Sequence, residues 1–279
     1  MKNVLYLLTA AGLFACSPKL QSTDHSFATF PALPDTAFVV VLEEEDRFTG
    51  GQKTGIIQST DDHIAAACAY DEIITRMKQA ARQKGANIVK VTAHTNPDRS
   101  HRCEYVSAGL YRVDHPRTYE RKFPWSADRP LTWADYKGNA ASIRERHVGA
   151  RTSCRFGIKI DTLTTPGQAR VIVTNEFICY QSSAKNDQQK PAILAHEQLH
   201  FDLCEVYARS LRKTLSTTPL TPGNVTRISK DAFLETYRLY REQQALYDAE
   251  TEHGLQTAAQ EQWTRKVKDA LASMEAYAR

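Results

Sequence analysis

Past its first fifteen residues the 279-residue chain has no apolar run able to enter a membrane, which excludes a bundle of membrane-spanning helices. It has no basic stripe. A formal net charge of +4 is mild and spread along the sequence, so nucleic-acid binding has no electrostatic footprint. Internal repeats and low-complexity segments are absent too, which sets aside solenoids and fibrous arrays. What remains is ordinary globular chemistry: 42% hydrophobic and 24% charged residues, in a length that suits one large domain or two of usual size.

The exceptional stretch is the start. Met1-Lys2-Asn3 is a short positive segment, and Val4 to Phe14 is apolar over a length typical of a signal-peptide core but too short to cross a bilayer. It ends in Leu13-Phe14-Ala15-Cys16, which resembles the lipobox of bacterial lipoproteins. That resemblance implies cleavage before Cys16 and lipidation of its thiol and new amino terminus. Residues 1–15 are then a signal peptide and 16–34 a tether of poorly structured chain. The protein is expected in the bacterial cell envelope, periplasmic or surface-facing, and held to a membrane by N-terminal lipid.

Five other cysteines fit an oxidising compartment. Segments 152–161 and 169–180 are rich in β-formers and flank Thr165-Pro166-Gly167-Gln168, a Pro-Gly turn. If 165 faces 168, Cys154 falls opposite Cys179 at a non-hydrogen-bonded position, where side chains lie close. A Cys154–Cys179 disulfide is therefore expected. Cys68 and Cys103 form the remaining pair, and Cys204 is left as a free thiol.

Hydrophobic periodicity divides the chain near residues 114–122. Residues 35–115 read as a small α+β domain: strand, strand, helix, strand, strand. The helix spans about 66–84 and stops at Gly85. Its histidines His63, His94 and His101 have no ligand spacing and read as surface residues. Residues 116–279 hold the hairpin and then three helical stretches, at about 190–214, 230–252 and 256–277.

The chemistry lies on the first of those helices, in His196-Glu197-Gln198-Leu199-His200. Residues four apart on an α-helix are about 40° apart in azimuth and one turn apart in height. Two imidazoles then point at one spot, as two legs of a zinc site require. Glu197, at the edge of that face, reaches a water at the metal without ligating. Helix phase points Asp202 and Glu205 away from the spot; Cys204 is on the correct side but a turn or more below, and mid-helix next to Leu203 it reads as core. No Gly-x-x-His follows His200, so a metzincin continuation is absent. A third ligand must come from elsewhere. The stripe Phe233, Tyr237, Tyr240, Gln244, Tyr247, Thr251 marks a helix face that packs on a neighbour. It runs into Asp248, Glu250, His253 and a helix-breaking Gly254. His253 is the preferred ligand, with Asp248 and Glu250 as alternatives or outer partners.

Several of these marks together carry a family resemblance. Leu131-Thr132-Trp133-Ala134-Asp135-Tyr136-Lys137-Gly138, Leu194-Ala195 before the histidine helix, Phe201-Asp202 after it, Tyr207-Ala208-Arg209, the Tyr247–Gly254 run and Trp263 resemble the domain of unknown function 922 family, a group of predicted secreted zinc-dependent proteases. The resemblance spans about 123–270. It implies a zincin-like fold, a peptidase assignment, and site roles for Asp248 and His253; the single H-E-x-x-H helix gives an expectation of one Zn2+ per chain.

The expectation is a zinc-dependent metallopeptidase acting on a peptide or protein substrate, with Glu197 as general base. Tyr240 or Tyr247 is a candidate to assist the oxyanion. The alternatives are an envelope lipoprotein with a structural or decayed zinc site, in a binding or assembly role, and a zinc amidase acting on cell-wall peptides.

Overall fold

The computed structural model describes residues 20–23, 27–60, 69–97, 103–161 and 169–278. The expected signal peptide, Cys16, Cys68, His63, His101 and the 165–168 turn lie outside them. The protein is mixed α+β and divides into two units, residues 1–119 and 120–279.

In the first unit, β1 (Leu20–Thr23), β2 (Val40–Leu42), β3 (Gln52–Ser59), β4 (Ile88–Thr95) and β5 (Tyr105–Arg112) form one sheet in the order β1-β3-β5-β4-β2. All neighbours are antiparallel except β2 and β4. Helix α1 (Tyr70–Gln83) covers it, burying Ile73, Ile74, Met77 and Ala81 against Ile57, Val89, Val91, Val106 and Leu110. The left-handed Gly85, at φ +68°, ends the α1 segment. Part of the expected tether is ordered: Leu20–Thr23 pairs with the edge of β3, and Leu20 packs on the core. An open sheet edge offers unpaired backbone groups that a short polar segment can satisfy. His94 is exposed, as expected of a surface residue. It stacks on Tyr70 and its Nε2 is 2.7 Å from Glu104 Oε2.

The second unit is built around one helix. Strands β6 (Lys122–Pro124), β8 (Cys154–Asp161) and β9 (Arg170–Ile178) form a sheet in the order β6-β9-β8, while β7 (Ala150–Arg151) pairs with β10 (Ser183–Ala184). Helix α2 (Pro191–Ser216) is buried on two faces. Phe201, Cys204, Ala208 and Leu211 pack with Phe123, Phe156 and Phe177 of the sheet. Leu199 and Leu203 pack with Tyr247, Trp263 and Val267 of α3 (Val225–Thr251) and α4 (Thr257–Ser273). A helix enclosed in this way holds its side chains in single rotamers, which a metal centre requires.

The 131–138 motif serves as scaffold for that helix. Asp135 accepts from the Thr132 backbone N–H and hydroxyl, and from two Arg129 nitrogens at 2.8 and 3.1 Å. Burial would raise the Asp135 pKa, but the Arg129 and Thr132 hydrogen bonds prevail and lower it. The loop is tied to α2 where Gln198 Oε1 accepts from Leu131 N–H at 2.6 Å.

The expected Cys154–Cys179 disulfide does not form: both are free thiols, as is Cys204. Cys154 pairs in register with Phe177, and Cys179 lies past the end of β9 in a 3-10 turn. The register differs by two residues from the turn-based one. A two-residue slip keeps every side chain on its face, so the hydrophobic alternation fits both registers equally. Cys154 turns instead towards α2 and α3, its Sγ 3.6 Å from the His200 carbonyl oxygen and 3.5 Å from the Tyr240 hydroxyl. Cys103 is disulfide-bonded; its partner is outside the described residues.

Candidate metal centre

Pro191 starts α2 at its first turn, where its missing N–H costs nothing. One and a half turns later His196 and Glu197 are almost fully buried, with exposures of 2% and 3%. His200 follows one turn on, and the Nε2 atoms of His196 and His200 approach to 3.1 Å. Helix α3 packs against α2 and brings Asp248, in its last full turn, to the same point. The chain then reverses sharply. Glu252, His253 and Gly254 are all left-handed, with φ of 48°, 55° and 86°. This conformation costs an L-residue roughly 1–2 kcal/mol, so two non-glycine residues in succession store strain at the site. The turn closes with the His253 N–H donating to the Asp248 carbonyl at 3.0 Å, and it swings the His253 ring back over the end of its own helix. Gly254 is needed for more than φ: a Cβ there would lie 2.9 Å from the His196 Cβ.

His196, Asp248 and His253 gather as a group able to hold a metal ion. Asp248 Oδ1 lies 3.2 Å from His196 Nε2, 3.1 Å from His200 Nε2 and 3.2 Å from His253 Nδ1. Ligand nitrogens about 2.0–2.1 Å from a tetrahedral ion stand about 3.3 Å apart, so these separations match the edges of such a site. Two imidazoles and a carboxylate thus form the candidate donor set, with His200 Nε2 beside it, 3.1 Å from both His196 Nε2 and Asp248 Oδ1. The electrostatics agree with a cation-binding site. Burial would raise the Asp248 pKa, but hydrogen bonds with His196 and His200 and the charges of His200 and His253 hold it far below the carboxylate range. Burial would lower that of His200, but the Asp248 hydrogen bond and the charges of Glu197 and Asp248 raise it to about 9.

Glu197 differs from its neighbours. Its Oε2 is buried and has no hydrogen-bond partner among the described residues. A buried carboxylate oxygen without a partner costs several kcal/mol in general, so one next to a ligand cluster signals a missing polar group.

Other residues singled out in the sequence are engaged elsewhere. Glu250 Oε2 accepts from the Trp263 indole at 2.7 Å, so it leaves the ligand set. The hydroxyls of both candidate tyrosines are engaged within the protein. Tyr247 donates towards the His196 carbonyl at 3.1 Å and Gln260 Oε1 at 2.7 Å, and the Tyr240 hydroxyl meets Cys154. Asp202 accepts from Trp125 and Gln198, and Glu205 from Asn175, Arg209 and Arg212, on faces away from the cluster, as helix phase requires.

Three residues of the site escaped the sequence reading. Gln244 meets both His200 Nδ1 and the His200 carbonyl, the latter through Nε2 at 2.9 Å. Its place on the α3 stripe, one turn before Asp248, was the available signal. Gln260 Oε1 is 3.1 Å from His196 Nδ1. It lies beyond the helix break, and no periodicity relates it to His196. The exposed His147 places its ring 5.2 Å from that of His253, across a loop without regular pattern.

Residues 135–254 match the family described as "Bacterial protein of unknown function (DUF922)". The matched segment ends one residue after His253, so it holds the four converging side chains but not α4. No curated protein and no solved structure gives a significant match.

Proposed function

We propose that this chain is an exported, lipid-anchored zinc hydrolase that cleaves peptide bonds. The observation that carries the reading is the buried, unpartnered oxygen of Glu197, the neighbour on α2 of His196, which groups with Asp248 and His253 as a set able to hold a metal ion. His196, His200 and His253 would hold the ion, and Asp248 would complete the set or orient it. Zinc, when bound, supplies a Lewis acid that acidifies water and polarises an amide carbonyl. Glu197 takes the proton of the attacking water and hands it to the departing amine. Its burial keeps the carboxylate fixed and unscreened. Among the described residues no helix is long and apolar enough to cross a membrane; the anchor proposed, from the lipobox-like Leu13-Phe14-Ala15-Cys16, is lipid on Cys16.

A second reading has its own support. Asp248 Oδ1 stands within ligand-to-ligand distance of all three imidazoles, and four protein ligands would close the site and make the zinc structural. Glu197→Gln separates the two. On the hydrolase reading it retains zinc and fold while cleavage of a peptide library falls roughly 100-fold or more. Wild-type protein that holds zinc and cleaves nothing in the library, or a Glu197→Gln variant as active as wild type, would sink the catalytic assignment.

A further inference from the structure

We propose that Gln260, on a helix outside the family-matched segment, is a positioning residue of the metal centre that fixes the tautomer and ring orientation of His196. The inference rests on the metal-centre reading above. An imidazole can offer Nε2 to a metal only when its proton is on Nδ1, and the partner of Nδ1 decides which tautomer is present. Here that partner is the amide oxygen of Gln260, 3.1 Å from His196 Nδ1. An amide oxygen accepts, so the imidazole donates from Nδ1, and with an ion bound its Nε2 lone pair is left for the metal.

Three further contacts hold the arrangement. The Tyr247 hydroxyl lies 2.7 Å from the same Gln260 oxygen, fixing the amide. It also lies 3.1 Å from the His196 carbonyl oxygen, so glutamine, tyrosine and histidine form one closed network. The Tyr247 ring stacks on the His196 imidazole with centroids 4.6 Å apart and planes 22° apart. Stacking sets the plane of the imidazole but leaves it free to turn within that plane; the Gln260 hydrogen bond removes that freedom.

The glutamine bears a cost for this orientation. Its Nε2 is buried with no hydrogen-bond partner among the described residues. Turning the amide over would set an N–H against His196 Nδ1, which demands the other tautomer and places the proton on Nε2. Gln244 plays the corresponding part at His200 with both ends of its amide engaged, so neither histidine of the pair is positioned by its own helix alone.

The test uses the full chain, Zn2+ alone as probe, and Gln260→Leu beside Gln260→Glu. Leucine removes the acceptor at similar size, and glutamate keeps it. Zn2+ affinity is measured by competition with a chelating indicator, and the His196 Nδ1–H proton by NMR in the zinc-loaded protein. Gln260→Leu should weaken Zn2+ binding roughly ten- to a hundredfold, the usual effect of losing such an outer partner, whereas Gln260→Glu stays within about threefold of wild type. The Nδ1–H resonance should be protected from exchange in wild type and Gln260→Glu and lost to exchange in Gln260→Leu. Equal affinity for Gln260→Leu and wild type overturns the proposal, as does a Gln260→Glu variant as weak as Gln260→Leu. If Gln260→Leu does not fold, an unprotected Nδ1–H in zinc-loaded wild type overturns it alone. Wild type that binds no Zn2+ overturns the metal-centre reading itself, an outcome distinct from the others.

Discussion

Replacing Gly254 with alanine perturbs the metal centre without touching a ligand, and the structure sets the size of the effect. Two penalties apply. The backbone at φ +86° is left-handed, which costs an L-residue roughly 1–2 kcal/mol. The new Cβ would also sit 2.9 Å from the His196 Cβ, closer than such atoms approach. His196 cannot yield easily, because Gln260, Tyr247 and Asp248 hold its ring from three directions. Forcing an extra carbon into a packed site costs about 1–3 kcal/mol more. Gly254→Ala should therefore lose about 2–5 kcal/mol in urea unfolding of the metal-stripped protein. The gap should widen in zinc, since a displaced His196 weakens binding and with it the stabilisation that ligand linkage provides. Gly254→Asn separates the two penalties: asparagine tolerates the left-handed backbone but carries the same Cβ. It should recover only the φ component, leaving zinc affinity as impaired as in Gly254→Ala. A Gly254→Ala protein within about 0.5 kcal/mol of wild type, the range of an ordinary surface change, and with unaltered zinc affinity would refute the close approach to His196.

Zinc titration should rank the acidic end of α3: His253→Ala loses the metal far more severely than Glu250→Ala, whose carboxylate serves Trp263. Asp248→Ala should also bind much less zinc, and near-wild-type affinity for it would remove the carboxylate from the ligand set. In the metal-stripped protein the His200 pKa is raised from 6.5 to about 9, so its stabilisation is complete below pH 6.5 and lost as pH climbs through 9. Thermal midpoints of the stripped protein should decline across that window and those of the zinc-loaded protein should not; a flat profile for the stripped protein would contradict the Asp248–His200 pairing. Mass mapping without reductant should find no Cys154–Cys179 link, and mild oxidation should join Cys154 to Cys204, whose thiols hydrogen-bond in the core. Recovery of a Cys154–Cys179 peptide would restore the turn-based register.

Local features of this chain were legible in its sequence and long-range ones were not. His196, Glu197 and His200 were legible because a helix of fixed period sets their relative directions whatever surrounds it. The same period pointed Asp202 and Glu205 away, and both engage other partners. The break at Gly254 was legible from glycine chemistry, although two left-handed residues ahead of it were not. The hairpin existed in the alternation of β-formers, but its register did not: slips of two residues leave that alternation unchanged, so Phe177 rather than Cys179 opposes Cys154.

Sequence alone thus determined the α+β class, the paired histidines with their glutamate, and the reversal that frees His253. Each follows from covalent geometry and helix period over a few neighbouring residues. Tertiary structure decided that Asp248 stands among three imidazoles, that Glu250 turns to Trp263, and that Gln244 and Gln260 hold the two histidines from behind. Apart from the Asp248–His253 pair, those relations join residues 13 to 64 positions apart on separately formed helices. Their geometry is set by how α3 and α4 pack on α2, through the fit of Leu199, Leu203, Tyr247, Trp263 and Val267, and no periodicity within one segment encodes that fit.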